Sequence, residues 1–177
     1  MARPQSHPRS LLITAIFSRH DSALDWAAQQ LSHAWGFNRL DSIRFEHGET
    51  KYYEAEMGVG LMKQFLVWSE PFDPQELPRI KLFTNALEEQ LAQSQMYPES
   101  RPINIDPGYV TLTKLVLASA KDRAHRLYMA DGIYAEECLY YLDSGWQPRP
   151  WTYPDYRRAD FHAFFIEARN LLKQHFQ

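Results

Sequence analysis

Residues 104–137 read NIDPGYVTLTKLVLASAKDRAHRLYMADGIYAEE, and the order of elements in this stretch decides the fold. Residues 102–106 read as a short strand. Asp106-Pro107 then reads as a helix start, with Pro107 at a first-turn position. Tyr109, Leu112, Leu115 and Val116 fall on one side of that expected helix. Asp131-Gly132 is the strongest short-range hairpin signal in the chain, because both central residues of a type I′ turn need positive φ. It sits between two strand-like segments, residues 124–130 and 133–141.

Outward from this stretch the pattern stays mixed. Residues 11–17 (LLITAIF) are a continuous apolar run, as in a central strand buried on both faces. Ser22 can cap a helix carrying Leu24, Ala27, Ala28, Leu31 and Trp35, which Gly36 would end. Residues 40–46, 50–57 and 64–69 read as three strands joined by His47-Gly48 and Gly58-Val59-Gly60, and pair antiparallel as hairpins. Asp73, Pro74 and Glu76 mark a helix start, with Pro78 allowing a start one turn later. The stripe Ile80, Phe83, Leu87, Leu91 continues it. A last helix over residues 159–175 packs Phe161, Phe164, Phe165, Ala168 and Leu171. The expected order is βαβββαβαββα. That is an α+β (mixed α/β) single domain over residues 11–177, with a largely antiparallel sheet covered by about four helices. Residues 1–10 read as a loose polar leader.

Composition sets limits. The chain has 177 residues, 45% hydrophobic and 14% aromatic, enough for one full core and against disorder. A net charge of −3 and a pI near 6.2 disfavour tight binding to duplex nucleic acid. One cysteine, Cys138, makes neither an internal disulfide nor a Cys-rich zinc site and suits the cytoplasm. No apolar run approaches the roughly 18 residues a membrane span needs, so no membrane role is expected.

Three regions can carry chemistry. Helix N-termini after strands favour anions, so Arg19, His20 and Asp106 would converge if their two strands are parallel neighbours. The bland reading of Asp21, Ser22 and Asp106 is capping. Next, Lys114, Lys121, His125 and Arg126 place four potential cations within thirteen residues. Lys114 and Lys121 would share a helix face and clamp a phosphate or carboxylate, or simply be solvated. In the hairpin, Tyr128 would oppose Ala135, Arg126 would oppose Glu137 and Leu127 would oppose Glu136. Glu136 then faces the core and needs a partner, such as His125, a lysine or a metal. His125 and Glu136 are therefore the acid–base candidates, with Asp131 as an orienting or turn residue. His20, Asp106, His125 and Glu136 are suitable metal ligands but lack HxxxH or HxH spacing, so no metal is assigned. Finally, Trp151 and Tyr153 lie in WQPRPWTYPDYRR (146–158), where aromatics alternate with arginines. The stretch can stack nucleotide bases or lie over the core as a proline-rich strap.

NIDPGYVTLTKLVLASAKD, HRLYMADGIYAE and WQPRPWTYPDYR, with EMGVGLMKQF and IKLFTNALEEQLA, resemble the prokaryotic family known as domain of unknown function 4416. The resemblance runs from the first expected strand to the last helix. It implies no activity, substrate or catalytic residue. Some members carry the label GTP-binding protein, yet the GxxxxGK[ST] stretch of a P-loop GTPase is absent here.

Three functions are expected, with no cofactor assigned. The first is binding or chemistry on an anionic, phosphate- or carboxylate-bearing small molecule. The second is a single-stranded RNA or nucleotide module using the strap. The third is a non-catalytic interaction subunit.

Overall fold

The stretch expected to turn from strand into helix turns instead into a second strand. In the computed structural model, which describes residues 3, 6, 7 and 9–175, β5 (Asn104–Val110) and β6 (Lys114–Ser119) are antiparallel neighbours. Residues 115–118 are buried on both faces, so they alternate toward two layers rather than marking one helical stripe. Val110, Thr111, Thr113 and Val116 are β-branched, which favours the strand. Pro107 is tolerated because the β5–β6 pairing begins only at Gly108. The expected helix over Tyr109, Leu112, Leu115 and Val116 is therefore corrected.

The remaining elements are β1 (Ser10–Ser18), α1 (Asp21–Trp35), β2 (Asn38–Asp41), β3 (Phe45–Glu46), α2 (Glu54–Met57), β4 (Met62–Phe72), α3 (Leu77–Gln93), β7 (Leu127–Ala130), β8 (Ile133–Leu142), β9 (Gly145–Pro148) and α4 (Ala159–His175). Among the described residues they form one α+β domain with an antiparallel nine-stranded sheet, of order β2-β4-β1-β5-β6-β8-β7. β3 pairs with β4 and β9 with β8. Residues 50–57 are not a strand but a bend leading into α2. The leader lies partly outside the described residues, and β1 already begins at Ser10.

β1 is buried throughout because helices cover both faces of the sheet. Leu11, Ile13 and Ala15 pack with Phe65 and Val67 against Phe161, Phe165 and Ala168 of α4. Leu12 and Ile16 pack with Leu66 and Trp68 against α1 and α3. Asp73 accepts a hydrogen bond from the Gln75 N–H and starts a 3-10 turn, Pro74–Glu76, before α3 begins one step later. No helix of the described residues is long and apolar enough to cross a membrane.

Asp131 and Gly132 have φ of 53° and 76°, so the β7–β8 turn is the one its residues require, and Ala130 pairs with Ile133. The register then shifts past Met129. Tyr128 opposes Tyr134, not Ala135, and Leu127 opposes Ala135, not Glu136. A bulge adds one residue to one strand and re-aims the side chains beyond it.

Gly108 lets β6 approach β5. A Cβ there would lie 2.2 Å from the Val116 carbonyl oxygen and 2.7 Å from Leu117 Cδ2. Gly108→Ala is expected to destabilise by about 1–3 kcal/mol through overpacking, read as a lower denaturant midpoint at unchanged slope. A midpoint equal to wild type would mean that the two strands separate freely here.

Candidate functional site

β5 and β6 pair only through Gly108–Val110 and Leu115–Leu117, and beyond that they part. β5 stays with β1 as far as Asn104, while β6 stays with β8 as far as Ser119. The parting leaves backbone groups of β5 without a strand partner. Two side chains of α3 take its place: Lys81 Nζ donates to the Ile105 carbonyl at 3.0 Å, and Glu88 accepts from the Ile105 N–H at 2.7 Å. Burial pushes the Glu88 carboxyl above its ordinary range.

The gap is a cleft of about 460 Å³. Sheet register supplies its floor: Lys63 on β4 and Asn104 on β5 both flank Phe17 of β1, on the same face. Asp106 stands two residues along β5, where it meets Lys81 Nζ at 3.0 Å and the Asn104 amide at 2.7 Å. Although burial opposes it, these partners hold the Asp106 carboxyl below its ordinary pKa.

The walls are also charged. Glu136 is 2% exposed, and it accepts from Arg126 Nε at 2.6 Å with His125 Nε2 at 3.1 Å. At one end Lys63, Asp155 and His47 are 4%, 3% and 6% exposed. Lys63 Nζ donates to Asp155 Oδ2. His47 Nδ1 lies 3.4 Å from the same oxygen and 3.5 Å from Glu49 Oε2. Burial first, then the neighbouring Lys63 ammonium, lowers the His47 pKa to about 4. Buried ion pairs are seldom the stablest way to fill a core, so Lys63–Asp155 and Arg126–Glu136, with the half-buried Lys81–Asp106 pair, mark this cavity as the candidate site.

The expected site residues divide between cleft and surroundings. Asp106, Lys121, Arg126, Glu136 and Tyr153 line the cleft. Lys121 Nζ donates to the Tyr52 hydroxyl at 2.7 Å at the mouth. Arg126 completes its fork on Ser119, the Lys121 carbonyl and the Tyr153 hydroxyl. His125 does not line the cleft; it holds Glu136 from outside and stacks on Trp151 at 5.3 Å. The expected pairing of Arg126 with Glu137 is corrected by the register shift: Glu137 accepts from Arg149 instead.

Other candidates stand apart. β1 and β5 are neighbours but antiparallel, so Asp106 lies within a strand and not at a helix N-terminus beside Arg19 and His20. Those two residues share Glu99, at 3.0 and 2.8 Å. His20 itself occupies the α1 cap position, and Ser22 meets the Tyr97 hydroxyl instead. Lys114 begins β6 opposite Tyr140, so it shares no helix face with Lys121. Asp131 is confined to its turn. Of the four acidic and histidine residues weighed as metal ligands, His125 and Glu136 meet, but the described residues hold no group of three or more that could hold a metal ion.

Trp151 and Tyr153 are 39% and 38% exposed, and while Tyr153 turns to Arg126, Trp151 anchors the strap. Trp151 Nε1 donates to the Glu137 carbonyl, and Arg157 donates to the carbonyls of Arg149, Pro150 and Thr152. This matches what a proline-rich segment needs, since it has few backbone bonds of its own.

His47, Lys63 and Asp155 were missed because they converge only through tertiary structure. Lys81 and Glu88 did leave a signal. With Leu77, Ile80, Thr84, Leu87 and Leu91 they fall on the buried side of α3, while Phe83 is partly exposed.

No curated protein and no solved structure matches the chain. A family model does match, over residues 7–172, which takes in the cleft, the strap and all the strands: the chain belongs to the family described as Domain of unknown function (DUF4416).

Proposed function

We propose that the protein binds an anionic small molecule, phosphate- or carboxylate-bearing, in the cleft between β5 and β6. The observation that carries this reading is the charge of the lining. Six lysine and arginine side chains face four carboxylates there. The excess sits in a concave, partly apolar space whose volume falls within the roughly 300–1,000 Å³ common for ligand sites. Lys121 and Arg123 at the mouth would draw the anion inward, and Lys63 and Lys81 would meet it at the floor. We place this binding in the cytoplasm of a prokaryote, where a lone buried thiol such as Cys138 stays reduced.

The mouth offers the cleanest test because its cations carry little of the fold. Lys121→Ala with Arg123→Ala is expected to leave stability within about 0.5 kcal/mol of wild type, as for ordinary surface changes. Affinity for a bound phosphate or carboxylate compound, measured by calorimetric titration, is expected to fall about tenfold or more. Unchanged affinity in the double variant would remove the cleft mouth from the binding path.

A further inference from the structure

His47 is the buried group of the cleft that the protein serves least: Nδ1 has only the long contacts of 3.4 and 3.5 Å to Asp155 and Glu49, and Nε2 has none among the described residues. The side chain nonetheless lines the cavity. An unpaired buried polar group is costly, and a ligand that pairs with it recovers that energy. Its neighbours come from five directions. Lys63 stands on β4, and Asp155 on the 3-10 turn within the strap. Glu49 lies two residues further along the loop, where Arg158 holds it at 2.7 Å. The Phe17 and Tyr53 rings close the remaining sides at 4.8 and 6.2 Å.

Among the described residues Arg123 keeps a free guanidinium at the mouth, but deeper in the cleft the spare donors are ammoniums. Arg126 spends its fork on Glu136, Ser119, Lys121 and Tyr153, and Arg101 contacts Glu88, Glu56 and Asn104. Lys63 makes one hydrogen bond, Lys121 one and Lys81 two, so each retains an N–H of the three an ammonium carries. A planar carboxylate is best served by a free guanidinium fork, whereas a tetrahedral oxyanion accepts several point cations from different sides.

We propose that the cleft takes a phosphoryl group, or an equivalent tetrahedral oxyanion, at the end formed by His47, Lys63 and Asp155, and that His47 takes up a proton as the anion binds. This rests on the anion-binding reading of the cleft and names the class and seat of the ligand. The mechanism is electrostatic. In the free protein burial, and after it the Lys63 ammonium, keeps His47 neutral. An anion seated beside Lys63 adds its negative charge to that of Asp155 and Glu49, which already favour the imidazolium, and gives the ring a hydrogen-bond acceptor, so anion and proton bind together.

The test uses the intact chain, ring-labelled at histidine, titrated with sulfate at constant ionic strength. Sulfate is chosen because its charge does not change across the range used. The expected result is that the His47 resonance moves with sulfate and its titration midpoint rises by at least one pH unit. One unit is equivalent to about tenfold tighter binding once the pH is low enough to protonate only the complex. His47→Gln should retain sulfate binding but lose that pH dependence. Labelled lysine side chains report the cleft independently. Lysine shifts without any response at His47 would overturn this assignment while sparing the anion-binding reading. No response at either, up to the highest sulfate concentration, would overturn both.

Discussion

Replacing Lys63 with methionine is expected to lower stability by about 3–5 kcal/mol at pH 7.5, because it strands a buried carboxylate. In a chain this long that is a fall of about 6–20 °C in Tm. Asp155 is 3% exposed, so it cannot turn to water for its lost partner. Two companion results are expected from the same cause. Lys63→Met together with Asp155→Leu should recover most of the loss, since a packed apolar pair avoids the desolvation that a buried ion pair incurs. The single variant should also be less impaired at pH 5 than at pH 7.5. His47 lies 3.4 Å from Asp155 and is kept neutral partly by Lys63, so without that ammonium it can carry the missing charge. Chemical denaturation of the two variants at both pH values reads all of this. A double variant as unstable as the single one would mean that Lys63 acts through packing on Phe17 and Tyr156, over whose rings its ammonium sits at 4.8 and 5.2 Å.

The second large effect is on pH. His47 has a folded pKa of about 4 against an ordinary value of 6.5. Between those values the unfolded chain binds a proton that the folded protein refuses. Stability from this residue is therefore fully present above pH 6.5 and is lost as the pH falls toward 4. The full shift corresponds to about 3 kcal/mol at most, taking about 1.4 kcal/mol per unit. Asp106, held low, adds a loss in the same direction at lower pH. Glu88 and Asp41, held high by burial, act the other way, since their folded forms bind the proton first. The difference between wild type and His47→Gln isolates the histidine. Denaturation from pH 7 to pH 4 is expected to show that difference changing by about 3 kcal/mol, with wild type losing more. Parallel curves would mean that His47 is protonated in the folded protein as readily as in the unfolded chain.

The legible parts of the sequence were those written locally. Residues 11–17 announced a strand covered on both faces, and β1 lies between β4 and β5 with helices on either side. Asp131-Gly132 announced its turn, since positive φ at both positions is a local demand. Glu136 was legible as a buried carboxylate in need of a partner, although the bulge at Met129 changed the register that led there. The misread element, residues 107–116, failed for a physical reason. A short apolar run buried on both faces carries no alternation, and Asp-Pro is as good a helix start as it is a strand residue beside an unpaired edge. The cleft itself was not legible. It exists because β6 leaves β5 after three paired residues, and its charges come from β4, β5, α3, β8, the strap and the loops before β5, after β6 and after β3. No local spacing brings Lys63, 92 positions from Asp155, into contact with it.

The most direct test of the cleft as an anion site is the unfolding temperature of wild type and of the Lys63→Met, Asp155→Leu double variant. Both would be measured against phosphate, nucleotides, sugar phosphates and organic acids at fixed ionic strength. A ligand at about 100 times its Kd stabilises by about 2.7 kcal/mol, or about 5–11 °C in a domain of this size. The expected result is such a shift in wild type with a phosphate- or carboxylate-bearing compound, absent from a double variant that has recovered most of its stability. A shift of equal size in the double variant would contradict the account, because the anion would then be bound away from the cleft's charged floor.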